Sequence, residues 1–498
     1  MRKYEKYPLY IHNSLSRSKE LFKAINPPHI GLYVCGPTVY SDVHIGNCRT
    51  FVSFDVVFRY LSHLGYQVRY VRNITDVGHL LDDGEDRMAK RAKVEQLEPM
   101  EIAQKYTNGF HKVMEIFNTL PPSIEPQASG HIPEQIEMVQ AIIDNGYGYE
   151  KNGSVYFNTR KFASDSSVYG NLSGRVLDDL LQETRTLKNQ DEKEDPADFA
   201  IWMKADDRHI MRWNSPWSVG FPGWHLECSA MSTKYLGKTF DIHGGGSDLK
   251  FPHHENEIAQ NNGACGCSPA NYWMHSNMLL LNGKKMSKSD GNTITPHQLF
   301  DGNSEHISKG YDPMTIRFFF LQAHYSSTLD LSDTALQAAE KGYKRLLNAL
   351  PIAERLKDAS VDGKTVDEEL TQKIKDLCNQ CYIEMCNDFN TAKTMAVLFE
   401  ISSILNEIDQ NPKLLTGLTT ETLVELGETY VGFVEDVLGL KKEAEDTSKI
   451  GDVIEILIQL RQEARANKNW ALSDQIRDQL LASGITIKDG KDGTTFSL

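Results

Sequence analysis

Apolar residues along the chain gather first in a short run, GLYVC at 31–35, followed by a loop punctuated by Gly36 and Pro37. They then recur at Phe51, Phe54, Val57, Phe58 and Leu61, a helical spacing. Gly65 suits the end of that helix, and YQVRYVRNIT at 66–75 returns as a second strand. Strand, loop, helix and strand make a βαβ unit, whose crossover is right-handed. Ligands of such sheets bind at the carboxyl ends of the strands, against a helix N-terminus. Chemistry is therefore expected just after residue 35.

Helical patterns fill most of 98–145, and 154–158 reads as a strand. The polar, mostly acidic stretch KNQDEKEDP, within 177–198, reads as a surface insertion. Strand-like segments resume near 199–203, at 239–248, where the strand runs into a glycine loop, and at 272–281, closed by an Asn282-Gly283 turn. Between the last two, FPHHENEIAQ opens a helix with Pro252 in its first turn. Beyond Pro313 the pattern turns helical, at 313–322, 332–357, 366–388, 391–409 and 420–438. A charged linker at 441–449 precedes two helical stretches and a glycine-rich end. The fold class expected is α/β: a Rossmann-type parallel-sheet domain over 1–312 with a connective insertion at about 100–200. An all-α helical bundle over 313–440 and a small C-terminal module over 450–498 follow. At ~150 residues per domain, 498 residues agree with about three domains.

Composition narrows the class. Hydrophobic residues are 40% and charged residues 24%, ordinary globular usage, which argues against disorder, collagen and coiled-coil filaments. No apolar run approaches the ~18 residues of a membrane-spanning helix, and MRKYEKYPLY lacks a signal-peptide stretch, so a cytoplasmic protein is expected. Lysine plus arginine is 53 and aspartate plus glutamate is 68, a formal charge of −15. Any nucleic acid must then be held by local basic patches, such as Lys341, Lys344 and Arg345 or Arg461, Arg465 and Lys468. Eight cysteines are too sparse for a disulfide framework. Cys265, Cys267, Cys378, Cys381 and Cys386 are expected as ordinary thiols, and Cys48 as packing in the first helix.

Three elements carry candidate chemistry. In HIGN, at 44–47, Gly46 allows close backbone approach and His44 can donate to a phosphate oxygen. In KKMSKS, at 284–289, Lys285 and Lys288 are three apart and can close on a polyphosphate, stabilising a leaving pyrophosphate. Cys35, Cys228, His253, His254, Glu255 and Glu257 offer scattered metal donors, with His253 and Glu257 on one helix face. A metalloprotease HExxH fails, because His254-Glu255 is followed by Ile258 at the last position. The HGGG at 243–246 resembles an esterase loop, but the chain has no GxSxG.

HIGN and KMSKS resemble the two signatures of class I aminoacyl-tRNA synthetases, the first departing at Asn47 where the class has histidine. YVCGPTVY, NITDV, PGWHLECSAM and FDIHGGGSDLKFPHHENEIAQ further resemble the cysteinyl-tRNA synthetases, from about Tyr7 to the C-terminal tail. That resemblance implies ATP-dependent ligation of L-cysteine to tRNA(Cys) through a cysteinyl-adenylate, without an editing domain. It implies one zinc ion on Cys35, Cys228, His253 and Glu257, and Mg2+ accompanying ATP. Catalysis would fall to His44, Asn47, Lys285 and Lys288, and ATP binding to His44, Gly46, Gly245, Asp248 and Lys288. The C-terminal module would read the anticodon through Arg465, Trp470, Asp474 and Asp489. A monomer is expected. HYSSTLD at 324–330 departs from the family's HYRSPLD, and Phe496 stands where the family often has tryptophan. Two other readings are a ligase that passes activated cysteine to a small amine and a non-catalytic RNA-binding protein with a structural zinc.

Overall fold

Ile30, Leu32 and Val34 face one apolar core while Tyr33 and Cys35 face another, so the first strand is buried on both sides. In the computed structural model, residues 2–78, 87–175, 192–207, 209–286, 291–361, 366–442, 447–483, 485–490 and 493–497 are described. That first strand is β1 (His29–Val34), followed by α1 (Ile45–His63) and β2 (Gln67–Arg72). After an insertion come α2 (Trp224–Leu236), β3 (Phe240–Gly246), α3 (Glu255–Cys265) and β4 (Ala270–Ser276). Among the described residues the sheet has four parallel strands in the order β4-β3-β1-β2. Its strand order reverses between β1 and β3, so the crevice beyond their carboxyl ends is where a ligand is expected.

The insertion contains helices Pro99–Ile116 and Ile132–Asp144 and an antiparallel sheet running from Gly148–Lys151 to Val219–Pro222. Its last strands thus lie beyond the limit of about 200 read from the sequence. Of the segment 177–198 read as a surface insertion, residues 177–191 lie outside the described residues.

Two expectations change in detail. The glycines of HGGG continue β3 as strand, with Gly244 paired to Met274 and Val34, instead of forming a loop. A Cβ at Gly244 would sit 2.2 Å from the Phe54 ring, so only glycine lets α1 lie this close to the sheet. The helix expected from FPHH opens with a π-helical stretch, Lys250–His254, whose one non-helical residue is Phe251 (φ −140°, ψ 133°), so helical backbone runs from Pro252 into α3.

The run at 272–281 splits into β4 and β5 (Leu279–Leu281), and Asn282-Gly283, both at positive φ, turn β5 into β6 (Lys284–Lys285). Helix α4 (Pro313–Leu321) leads to β7 (Leu329–Leu331), which pairs in parallel with β5. Helices α5 (Asp333–Lys357), α6 (Glu368–Cys386), α7 (Thr391–Gln410) and α8 (Thr420–Val431) complete the helical region. One apolar core runs from Leu32 and Phe54 through Phe318 and Leu346 to Leu426 and Phe433, so sheet and helices share it. Residues Met1–Lys441 accordingly form one compact unit, and Lys442–Leu498 a second. The second unit holds α9 (Thr447–Ala466), α10 (Trp470–Ala482) and a hairpin of β8 (Thr486–Gly490) and β9 (Gly493–Ser497), where the sequence suggested only a glycine-rich end.

The cysteine reading needs one correction. Cys265 and Cys267 are joined by a disulfide, because Gly266, at φ +69°, turns the chain back at the end of α3 and brings the two sulfurs together. Cys48, Cys378, Cys381 and Cys386 are free and buried.

Candidate active site

Beyond the carboxyl ends of β1 and β3 lies a pocket of about 370 Å³. Its lining includes Cys35, His44, Asn47, Cys228, Asp248 and His253 among the residues singled out from the sequence. Cys35 follows β1 directly and continues its pairing, its N–H donating to the Gly244 carbonyl at 3.1 Å. Gly36 comes next, and a Cβ there would meet the Asn73 carbonyl oxygen at 1.6 Å. The close crossing of the β1 and β2 ends depends on that glycine.

On the pocket floor, Cys35, Cys228, His253 and Glu257 are all buried, with one donor atom of each within 4.8 Å of the others. The two sulfurs are 3.9 Å apart, and His253 Nε2 lies 3.2 Å from Glu257 Oε1. A second donor set, Cys35, His243, His254 and Glu257, meets the same distance and shares two members. His254 Nε2 is 3.2 Å from Cys35 Sγ, so His254 stands directly against the first donor set.

Around these donors stands a second layer of imidazoles. His225 Nδ1 lies 2.8 Å from His253 Nδ1, and His254 Nδ1 lies 2.9 Å from His275 Nε2. His243 Nε2 lies 2.8 Å from Glu257 Oε2. Burial raises the Cys35 thiol pKa and takes that of Cys228 up to about 12. Burial likewise raises the Glu257 carboxyl, against the opposing pull of His243, and holds His225 down to about 3. Without a cation, burial therefore keeps the two thiols protonated and His225 neutral. Two sulfurs, an imidazole and a carboxylate, all dry and convergent, are donors a divalent ion would bind, releasing the thiol protons.

At the pocket's side, α1 starts at His44. Asn47 Oδ1 accepts from the His44 backbone N–H at 3.3 Å, so the asparagine caps its own helix start. Gly46 faces Met286, whose Cε would be 3.1 Å from a Cβ there. Gly245 does not line the pocket; it leaves room for His254, while Gly246, one residue on, forms the wall beside Asp248. Lys285 is exposed on β6 and outside the lining, and Lys288 lies outside the described residues. In the second unit, Arg465 lies in the last turn of α9, Trp470 opens α10 and is 58% exposed, and Asp474 pairs with Arg477 at 3.1 Å. Asp489 belongs to β8, and its side chain lies outside the described residues.

Several site residues escaped single-residue reading. Asn73 accepts from Gly36 N–H at 2.8 Å and donates to Glu227 Oε1 at 3.3 Å, and Thr75 Oγ1 also donates to that oxygen. Burial lifts the Glu227 carboxyl well above the ordinary range, and its Oε2 has no hydrogen-bond partner among the described residues. Trp224 packs against His253, with ring centroids 4.5 Å apart and the rings tilted by 38°. Their signal lay inside NITDV and GWHLEC, but only the fold pairs the two segments.

A doubly wound sheet whose switch point carries a HIGN helix start defines a class I aminoacyl-tRNA synthetase. Residues 21–341 match the family described as "tRNA synthetases class I (C) catalytic domain". Residues 382–442 match the DALR domain and 448–496 the "Cysteinyl-tRNA ligase anticodon binding domain". The fold is similar to that of Mycobacterium tuberculosis methionyl-tRNA synthetase in complex with methionyl-adenylate, at a TM-score of 0.58 and 13% identity, covering 85% of this chain and 93% of that one. The cysteine–tRNA ligase of Bacteroides thetaiotaomicron is 52% identical over 99% of both chains. That of Deinococcus radiodurans is 47% identical over 98% of this chain and 96% of its own. The chain belongs to the cysteine–tRNA ligase family.

Proposed function

We propose that this chain ligates L-cysteine to tRNA(Cys) in two steps. The cysteine carboxylate attacks the α-phosphate of ATP, forming cysteinyl-adenylate and releasing pyrophosphate. A ribose hydroxyl of the tRNA terminus then takes the cysteinyl group and AMP leaves. A carboxylate is already ionised at neutral pH, so the first step needs positioning and charge stabilisation but no protein nucleophile. The reading is carried by one observation: Cys35, Cys228 and His253 line the same pocket as His44, Asn47 and Asp248.

In this reading, His44 donates to a phosphate oxygen beside Gly46, and Asn47 keeps the helix start in shape for it. Lys288, with Lys285 helping, takes the triphosphate, and Asp248, with Gly246 in place of Gly245, belongs to the nucleotide side. Magnesium accompanies the ATP phosphates. Zinc held by Cys35, Cys228, His253 and Glu257 supplies a preference for a thiolate over a hydroxyl, which pocket shape alone gives poorly. This donor set is favoured over the one with His243 and His254 because three of its members open on the pocket, where a substrate sulfur can arrive. His225, against the far nitrogen of His253, is the outer partner such a ligand uses.

Residues 1–312, with their insertion reaching Val219–Pro222, carry the chemistry; 313–440 and 450–498 hold the tRNA. Arg465, Trp470, Asp474 and Asp489 contact the anticodon by hydrogen bonding or stacking. The protein works as a cytoplasmic monomer. Cysteine-dependent ATP–pyrophosphate exchange, with zinc quantified on the same sample, tests the reading. Exchange is expected with cysteine and not serine, and full activity after exhaustive chelation would refute the role of zinc. Charging of tRNA separates this reading from a ligase that hands cysteine to a small amine.

A further inference from the structure

Arg49 lies one turn past the HIGN start of α1 and is wholly buried. Among the described residues no carboxylate pairs with it. Its contacts are instead four main-chain carbonyls: Nη1 donates to Asn277 at 3.0 Å and Met278 at 2.9 Å, and Nη2 to His324 at 3.2 Å and Ser327 at 2.6 Å. Burial lowers its pKa to about 10, which still leaves it charged at neutral pH. A buried cation without an anion is costly, and an apolar side chain would fill the space more cheaply. Its retention calls for a use other than filling the core.

The positions of the four carbonyls indicate that use. Asn277 and Met278 connect β4 to β5, and His324 and Ser327 lie between α4 and β7. Strands β5 and β7 pair from Leu279 and Leu329 onward. Arg49 therefore grips both strands at their starts. Strand β5 then turns directly into β6, which bears Lys285 and leads to Met286. Because β6 runs antiparallel to β5, Met286 returns to this same open end of the hairpin and abuts Gly46, and Ile45 N–H donates to the Ile294 carbonyl at 3.1 Å. The first two turns of α1 are thus fastened to the base of the lysine-bearing hairpin from both of its strands. A planar guanidinium can bridge four acceptors on two segments, whereas an ammonium presents three donors from one point.

We propose that Arg49 is a positioning residue, holding the β5–β6 hairpin at a fixed distance from the His44 turn so that both can engage one triphosphate. The inference rests on the synthetase reading above only in its statement of what the two elements bind. Cysteine's contacts lie elsewhere, on the segments after β1 and in α2, so loosening Arg49 should separate adenylation from cysteine binding. The test is Arg49→Lys and Arg49→Met in the full-length, metal-loaded protein. The adenylation rate is expected to fall ~10–100-fold, while cysteine affinity and metal content change less than about twofold. Backbone hydrogen–deuterium exchange should rise across 279–286 and 329–331 and stay constant in β1 and α3. Unchanged exchange in the hairpin would overturn the proposal, as would equal losses of adenylation, cysteine binding and metal. Failure of both variants to fold would assign Arg49 to the core and overturn it too. Absence of cysteine-dependent pyrophosphate exchange in the unmodified protein would overturn the synthetase reading instead, and the deuterium measurement would still decide whether Arg49 holds the hairpin.

Discussion

Glu257 is shared by two donor sets, and side-chain distances alone rank them nearly equal. What separates them is access, since His253 lines the pocket and His254 does not. His253→Ala is therefore expected to reduce bound zinc by far more than tenfold in affinity, and His254→Ala to retain it. His225→Ala, removing an outer partner, should weaken binding ~10–100-fold. Elemental analysis after dialysis against a graded chelator checks all three. These residues were unevenly legible in the sequence. The His253–Glu257 spacing of four residues is a local signal, whereas Cys35 and Cys228 are joined to it only by the resemblance. His225, His243 and His275 gave no signal by themselves, because their partners lie on other elements.

Helix α1 shows how far an element can depart from its pattern. Its apolar spacing predicts one buried stripe, but Arg49, Asp55 and Arg59 are buried as well. The reason is that α1 has the sheet on one side and the helical region on the other. Asp55 Oδ2 meets Arg59 Nε at 2.8 Å and Arg317 Nη2 at 2.5 Å, while Arg317 also donates to the Leu438 and Phe117 carbonyls. At the far end of α1, His63 Nε2 sits 3.0 Å from Lys3 Nζ and 3.1 Å from Tyr382 Oη. A helix C-terminus favours a cationic histidine, but burial, reinforced by the charge of Lys3, holds its pKa to about 4. Because the folded value lies below the unfolded one of 6.5, the stabilisation from neutral His63 is complete above pH 6.5. It is lost as pH falls toward 4. His63→Gln should shrink the fall in melting temperature between pH 7 and pH 4.5 by ~1–2 °C, measured by thermal scans against the unmodified protein. Element types were legible where periodicity was long, as in the helices beyond Pro313. The HGGG strand was not, since three glycines usually signal a turn and their packing reason, the Phe54 ring, is remote in sequence.

For the molecule as a whole, the chain divides at Lys441–Lys442 and not near residue 312. A chain ending at Lys441 is expected to stay folded and to keep cysteine-dependent pyrophosphate exchange within about twofold, while its tRNA charging falls ~100-fold or more through loss of the C-terminal contacts. Exchange and aminoacylation assays on one preparation, with circular dichroism for fold, check this. The charged linker marked that division in the sequence. The continuity of sheet and helices was not marked, because a change from mixed to helical pattern looks the same whether or not the two regions share an interior. The shared interior from Leu32 to Phe433 also constrains how such a chain can change over time. Neither the sheet nor the bundle can be swapped as a cassette, because whichever half was kept would present an apolar surface cut to fit its former neighbour.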